Sequence, residues 1–237
     1  EQKHIRDVEA LNQSKLRFFT NISHEFRTPL TLIVAQVETL MQLQNFTPAI
    51  YNKVLGIYKN SIQLRELITE LLDFRKQEQG HMKIKVSPHN IVNFLYENYL
   101  LFLEYASAKQ ISLYFEKETD SLEVWYDQKQ MQKVINNLLS NAVKYTDRGR
   151  VSIRVTSAPA IIVADTGIGI APEDVPRVFE KGYTGYNGRG GQKSTGLGLY
   201  LVHQTAEMLH CRVSLSSRIG EGTSVTIDLH QEELGKE

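Results

Sequence analysis

The sequence predicts two domains of different class: a helical hairpin that pairs into a dimeric four-helix bundle, followed by an α/β sandwich. Three observations lead to this. Up to about residue 76, apolar residues recur at heptad spacing in two runs separated by Asn45-Phe46-Thr47-Pro48. Gln77-Glu78-Gln79-Gly80-His81 is a polar joint containing a glycine. From Met82 onward, short β-rich runs alternate with helices that open on capping residues, as in one mixed sheet covered by helices on one face. The expected organisation is a lead-in helix at 1–13, the helical domain at 14–76, a hinge at 77–81, the sandwich at 82–230 and a tail at 231–237.

With 237 residues, the chain can bury two cores. Lys plus Arg and Asp plus Glu both number 27, so no general attraction to nucleic acid or to an anionic membrane is expected. The single cysteine, Cys211, excludes an intrachain disulfide and reads as a small core or surface residue. No apolar run is long enough to span a membrane, and Glu1-Gln2-Lys3-His4 does not open a signal peptide. The chain as given reads as a soluble fragment from a reducing cytoplasm, with any membrane segments lying upstream.

Ile5, Val8 and Leu11 or Asn12 form a thin stripe out of phase with the heptads that begin at Leu16, a break that alters coiled-coil winding. The first strong helix is expected from Ser14 to Leu43, with a seam of Leu16, Phe19, Phe26, Leu30, Ile33, Val37 and Leu40, Ser23 filling one gap. His24 stands one position past that seam, beside the packed stripe and able to reach water. Glu25 can accept a hydrogen bond from one ring nitrogen and leave the other with a free lone pair, as a nucleophilic histidine needs. Pro29 favours a kink one turn below. Pro48 ends this run, and a second helix carries Val54, Ile57, Leu64, Ile68 and Leu71, with Ser61 in the gap. A lone hairpin shields only one apolar face, so a homodimer is expected.

In the second domain, Met82–Val86 alternates like a strand. Ser87-Pro88 then reads as the start of a helix with Ile91, Leu95, Leu100 or Leu101, and Ala108 on one side. Strands are expected at Ile111–Phe115 and Leu122–Tyr126. Asp127 with Gln130 reads as a capping box. Arg150–Thr156 and Ala160–Ala164 read as paired strands, Gly196–Leu209 as an amphipathic helix, and Arg212–Ser216 with Ser224–Leu229 as the strands that close the sheet.

On the capped helix, i, i+4, i+7 and i+8 spacing puts Asn137, Asn141, Lys144 and Tyr145 on one face, with Leu138, Leu139 and Ala142 toward the core. Two carboxamides and an ammonium suit a magnesium-bound triphosphate. Asp165, in Asp165-Thr166-Gly167-Ile168-Gly169, emerges from the apolar run 161–164 into a glycine turn, where it can accept the amine of adenine. Thr195-Gly196-Leu197-Gly198-Leu199 supplies a second glycine turn before a helix, a setting that attracts phosphate. The polar, glycine-rich stretch from Gly182 to Lys193 reads as a lid. No P-loop or Gly-x-Gly-x-x-Gly signature is present.

Ser23-His24-Glu25-x-x-Thr28-Pro29-Leu30 resembles the H box of bacterial sensor histidine kinases, including those of hybrid sensors. The ordered motifs 137–145, 165–169, Val178-Phe179-Glu180, 195–199 and Gly220-x-Gly222-Thr223 resemble the N, G1, F, G2 and final glycine boxes of the GHKL (Bergerat) ATP-binding fold. The resemblance implies that His24 is phosphorylated from ATP with Glu25 as base or orienting partner, and passes the phosphoryl group to the receiver domain of a response regulator. It implies further that Asn141, with Asn137 nearby, holds Mg2+; that Lys144 and Tyr145 contact phosphates and Asp165 contacts adenine; and that Gly167, Gly169, Thr195, Gly196, Leu197, Gly198 and Thr223 shape the pocket. Thr28 matches the residue that positions water for dephosphorylating the regulator. The arginine that many relatives carry soon after Phe-Glu is missing; either Lys181, Arg189 or Lys193 supplies the charge, or the lid closes differently. A GHKL clamp ATPase or a silent scaffold is the competing reading, opposed by the H box and by the presence of His24, Glu25, Asn141 and Asp165.

Overall fold

The computed structural model describes residues 26–42, 47–78, 84–184 and 196–229. His24, Glu25, Thr195, the lead-in stretch, most of the lid and the 231–237 tail therefore lie outside the described residues. The chain divides into two compact units, Glu1–Met82 and Lys83–Glu237. No helix among the described residues is long and apolar enough to cross a membrane.

The first unit contains α1 (26–41) and α2 (Pro48–Glu78). Pro48 occupies the first helical position, where a missing N–H is harmless, and Thr47 Oγ1 accepts from Ile50 N at 3.4 Å. The seams are not uniform. Leu30, Val34 and Val37 on α1, and Val54, Ser61 and Leu72 on α2, are buried. Phe26, Ile33 and Leu40, and Ile57, Leu64 and Leu71, are exposed. With 3.6 residues per turn, each exposed set lies roughly 70° round its helix from the buried set, in the same rotational sense on both helices. A single two-position seam per helix is therefore too simple a description, because only one edge of it is covered within the chain. The expected joint also starts late, since α2 continues through Gln77 and Glu78.

The second unit runs β1 (Ser87–Asn90), α3 (Ile91–Ala108), β2 (Ile111–Lys117), β3 (Glu123–Tyr126), α4 (Gln128–Lys144), β4 (Gly149–Val155) and β5 (Ala160–Asp165). A 3-10 turn at Val175–Arg177, α5 (Gly198–Met208), β6 (Arg212–Arg218) and β7 (Gly222–Asp228) complete it. Five strands make one mixed sheet in the order β2-β4-β5-β7-β6, with β2 parallel to β4 and the other neighbours antiparallel. β1 and β3 form a separate antiparallel pair. Alternation fixes the inner face: Val151, Ile153 and Val155 of β4 and Ile161 and Val163 of β5 join Leu95, Ile135, Leu139 and Val143 of the helices in one core. Cys211 is buried beside it, as a small core residue.

Three local expectations are corrected. Ser87-Pro88 begins a strand, not a helix; proline donates no ladder bond, which a two-stranded pair tolerates. The helix starts only where Asn90 Oδ1 accepts from Val92 N (3.0 Å) and Asn93 N (3.4 Å). On α3, Ile91 and Leu95 are buried but Leu100, Leu101 and Ala108 are exposed, and Asn98 turns inward with its amide donating to Phe94 O at 2.8 Å. This helix has apolar residues all round, so periodicity could not choose its inner face. The capping box is one-sided: Asp127 Oδ1 accepts from Gln130 N at 3.1 Å, but Gln130 Oε1 has no partner. Asp127 Oδ2 instead accepts from Lys85 N at 2.7 Å, tying the start of the unit to α4.

Candidate functional site

The inward stripe of α4, including Leu138, Leu139, Ala142 and Val143, is buried, so Asn137, Asn141 and Lys144 ride half-buried on another face. Asn137 Nδ2 donates back to Lys133 O at 3.1 Å, which fixes its carboxamide. A Cβ on Gly198 would lie 2.8 Å from Asn137 Oδ1 and 3.9 Å from Asn141 Nδ2, so the start of α5 approaches α4 as closely as it does only because residue 198 has no side chain. At the far end of α4, Lys109 Nζ donates to Val143 O (3.0 Å) and Thr146 Oγ1 to Ala142 O (2.8 Å). These bonds occupy helix-end carbonyls and hold Lys144 and Tyr145 in place; Lys144 Nζ lies 5.1 Å from the Tyr145 ring centroid.

Asp165 ends β5. Its Oδ1 accepts from Gly167 N at 2.8 Å and Thr223 N at 3.3 Å. Burial pushes this carboxyl above its usual range, and the two backbone donors pull it part of the way back. Ile168 N donates to Tyr145 O at 3.1 Å, joining the glycine turn to the end of α4. Gly169, at φ +69°, packs against Arg218 O where any Cβ would overlap it.

Asp165, Thr223 and Ser217 are direct register neighbours on β5, β7 and β6. Ser217 Oγ accepts from Ile170 N at 2.8 Å, donates to Gly222 O at 2.9 Å and lies 2.8 Å from Thr223 Oγ1. Neither Ser217 nor Lys109 was picked out from the sequence. Lys109 carried no signal beyond a basic residue in a short turn, whereas Ser217 is recoverable by pairing β6 with β7 around Gly220.

α5 opens at Leu197 without a side-chain cap, so the N–H groups of its first turn suit an anion. Gly182 N donates to Gly196 O at 3.2 Å, bringing the two ends of the lid segment together. Phe179 packs on His203 of α5 with ring centroids 5.3 Å apart. Arg177 stacks over Tyr183 at 4.2 Å and pairs with Glu180 at 3.0 Å, while the Tyr183 hydroxyl donates to Asp174. An arginine thus stands two residues before Phe179, ahead of the Phe-Glu pair and not after it.

The second unit therefore brings together Asn137, Asn141, Lys144, Tyr145, Asp165, Gly167, Gly169, Gly196, Leu197, Gly198 and Thr223. Thr28 is exposed on α1, in the first unit. Among the described residues, no group of three or more His, Cys, Asp or Glu could hold a metal ion. The cation donors on offer are the carboxamides of Asn137 and Asn141, neutral hard-oxygen ligands that fit a magnesium ion keeping most of its water.

Residues 14–80 match the family model for the His Kinase A (phospho-acceptor) domain, and residues 126–233 that for the histidine kinase-, DNA gyrase B- and HSP90-like ATPase. The chain is 35% identical over 234 residues to histidine kinase P4 of Formosa agariphila, covering 93% of this chain and 17% of that protein. It is 33% identical over 236 residues to the sensor histidine kinase RcsC of Escherichia coli, covering 95% and 24%. The chain thus spans about a quarter or less of either relative. Full-length ShkA in complex with AMPPNP has a similar fold, with a TM-score of 0.74 at 23% identity over 89% of this chain and 45% of that one. The catalytic domain of histidine kinase ThkA aligns with a TM-score of 0.54 at 24% identity, over 60% of this chain and 95% of that one.

Proposed function

The chain belongs to the sensor histidine kinase family, and from that membership we propose that it uses ATP to phosphorylate its own His24 and passes the phosphoryl group to an aspartate of a response regulator. The observation that carries this reading is the convergence in one unit of Asn137 on Gly198 and of Asp165 on Thr223. In this reading one end of the nucleotide meets a half-buried acid and the other a face of carboxamide, ammonium and helix N–H groups. The AMPPNP bound by ShkA, which shares the fold, supports ATP as the nucleotide.

In this reading Asp165 accepts the amine of adenine, while Lys144, Tyr145 and the first turn of α5 contact phosphates. A magnesium ion held by Asn141, with Asn137 beside it, would neutralise triphosphate charge. One ring nitrogen of His24 attacks the γ-phosphorus, the bond to the bridging oxygen breaks, and ADP departs. Glu25 takes the proton from the other ring nitrogen. Catalysis of this kind is mainly positioning and charge stabilisation, so the joint that follows Glu78 would serve as the hinge that brings His24 to the nucleotide. Thr28, four residues past His24, would place water for dephosphorylating the regulator. The fragment would act as the cytoplasmic portion of a membrane-anchored sensor.

A homodimer belongs to the same proposal. Because hairpin helices run antiparallel, rotations of the same sense from their buried stripes carry both exposed stripes to one side. Phe26, Ile33, Leu40, Ile57, Leu64 and Leu71 then form a single apolar face for a second copy.

Incubation with γ-labelled ATP and magnesium tests the kinase reading. Acid-labile, base-stable label that disappears in His24→Ala while nucleotide binding persists is the expected outcome. Nucleotide binding without label in the unaltered chain would overturn it.

A further inference from the structure

We propose that Ser217 is a specificity-positioning residue: it fixes the hydroxyl of Thr223 so that the base pocket offers only acceptors and thereby prefers a 6-amino purine over a 6-oxo purine. The inference rests on the ATP-binding reading and adds a residue outside every recognised motif.

A hydroxyl carries one proton and two lone pairs. Ser217 Oγ lies 2.9 Å from Gly222 O, and a carbonyl can only accept, so the serine proton is committed there. Ile170 N, at 2.8 Å, takes one serine lone pair. In the remaining contact, 2.8 Å to Thr223 Oγ1, serine has nothing left to donate, so threonine must be the donor. Thr223 Oγ1 has no other partner among the described residues and is left with lone pairs alone. Its register neighbour Asp165 is a carboxylate whose Oδ1 already takes two backbone N–H groups, and it too can only accept. A row of two acceptors, Asp165 and Thr223, complements the amine at position 6 of adenine and opposes the carbonyl oxygen at position 6 of hypoxanthine or guanine. Leaving either side unpaired in a partly buried site is costly.

The decisive probe is inosine triphosphate, which replaces the 6-amino group of ATP with oxygen and carries a proton on the adjacent ring nitrogen. Magnesium complexes of both nucleotides are titrated calorimetrically into the full chain, into Ser217→Ala and Ser217→Cys, and into Ser217→Thr. Without the serine hydroxyl, the proton of Thr223 is free to turn toward the base. The preference for ATP over inosine triphosphate should then fall about tenfold, the effect of one hydrogen bond reversed, partly through tighter inosine triphosphate binding. Ser217→Thr, which keeps the hydroxyl, should keep the preference. A merely structural serine would weaken both nucleotides by the same factor and leave the ratio unmoved, and that result overturns the assignment. Should Ser217→Ala fail to fold, the ratio in Ser217→Cys decides in the same way. If the unaltered chain bound neither triphosphate, the ATP-binding reading itself would fall, an outcome distinct from an unmoved ratio.

Discussion

Replacing Gly198 with alanine should separate stability from nucleotide affinity. Alanine at the start of α5 gains at most about 1 kcal/mol of helix propensity over glycine. Its Cβ would lie 2.8 Å from Asn137 Oδ1, well inside the roughly 3.5 Å of ordinary contact, so the carboxamide must turn. Turning gives up the 3.1 Å bond from Asn137 Nδ2 to Lys133 O, about 1 kcal/mol. These two effects nearly cancel, and the urea midpoint should change by the equivalent of less than about 1 kcal/mol. Affinity has no such compensation, because both the carboxamide and the first turn of α5 are displaced from the phosphate end of the site. Calorimetric titration with magnesium–ATP should show at least about a tenfold loss, the equivalent of one misplaced hydrogen bond. Unchanged affinity would refute the role given to the α4–α5 approach, and a loss fully explained by unfolding would refute the claim that the two effects separate.

Lys109→Met should lower stability by about 1 kcal/mol by orphaning the Val143 carbonyl, and should weaken ATP binding by loosening Lys144 and Tyr145; Lys109→Arg should restore much of both in the same melts and titrations. For Asp165, burial raises the folded carboxyl above its unfolded value, so between the two values the folded state holds more protons and stability falls as pH rises. Asp165→Asn should therefore be more stable than the unaltered chain at neutral pH, with the gain shrinking as pH falls through the raised folded value and gone below the unfolded one, while ATP binding is lost; urea midpoints at several pH values check the sign. Ile57→Lys combined with Leu64→Lys places charge on the exposed side of α2 and should yield monomers in analytical ultracentrifugation without loss of helical circular dichroism.

Much of this was legible in the sequence because its signals are local. The heptads of 26–71, the alternation in β4 and β5, and the inward Leu138, Leu139 and Ala142 each follow from the period of a single element. The misread positions depended on neighbours. Leu100 and Leu101 look as apolar as Leu95, and only packing against the sheet decides which of them faces in. Ser87-Pro88 has the composition of a helix start, yet pairing with Trp125 and Tyr126 claims it for a strand. In the site, Asp165 and the Asn137–Asn141 face stood out as polar groups in patterned settings. Lys109 and Ser217 bond to backbone carbonyls, to a backbone N–H and to another hydroxyl, and those partners lie 34 and 5 to 47 residues away. Composition carries no trace of such bonds.

The parallel pairing of β2 with β4 has a consequence for how the second unit assembles. Parallel neighbours cannot be joined by a tight turn, and the chain between them, residues 118–148, is largely β3 and α4. The helix that carries Asn137 and Asn141 is therefore the crossover on which the edge strand depends. The hairpins β4–β5 and β6–β7 can form from local chain, whereas β2 closes late, onto a helix already seated. β2 itself pairs with β4 and packs on α3, so its detachment reaches α4 only through the crossover chain.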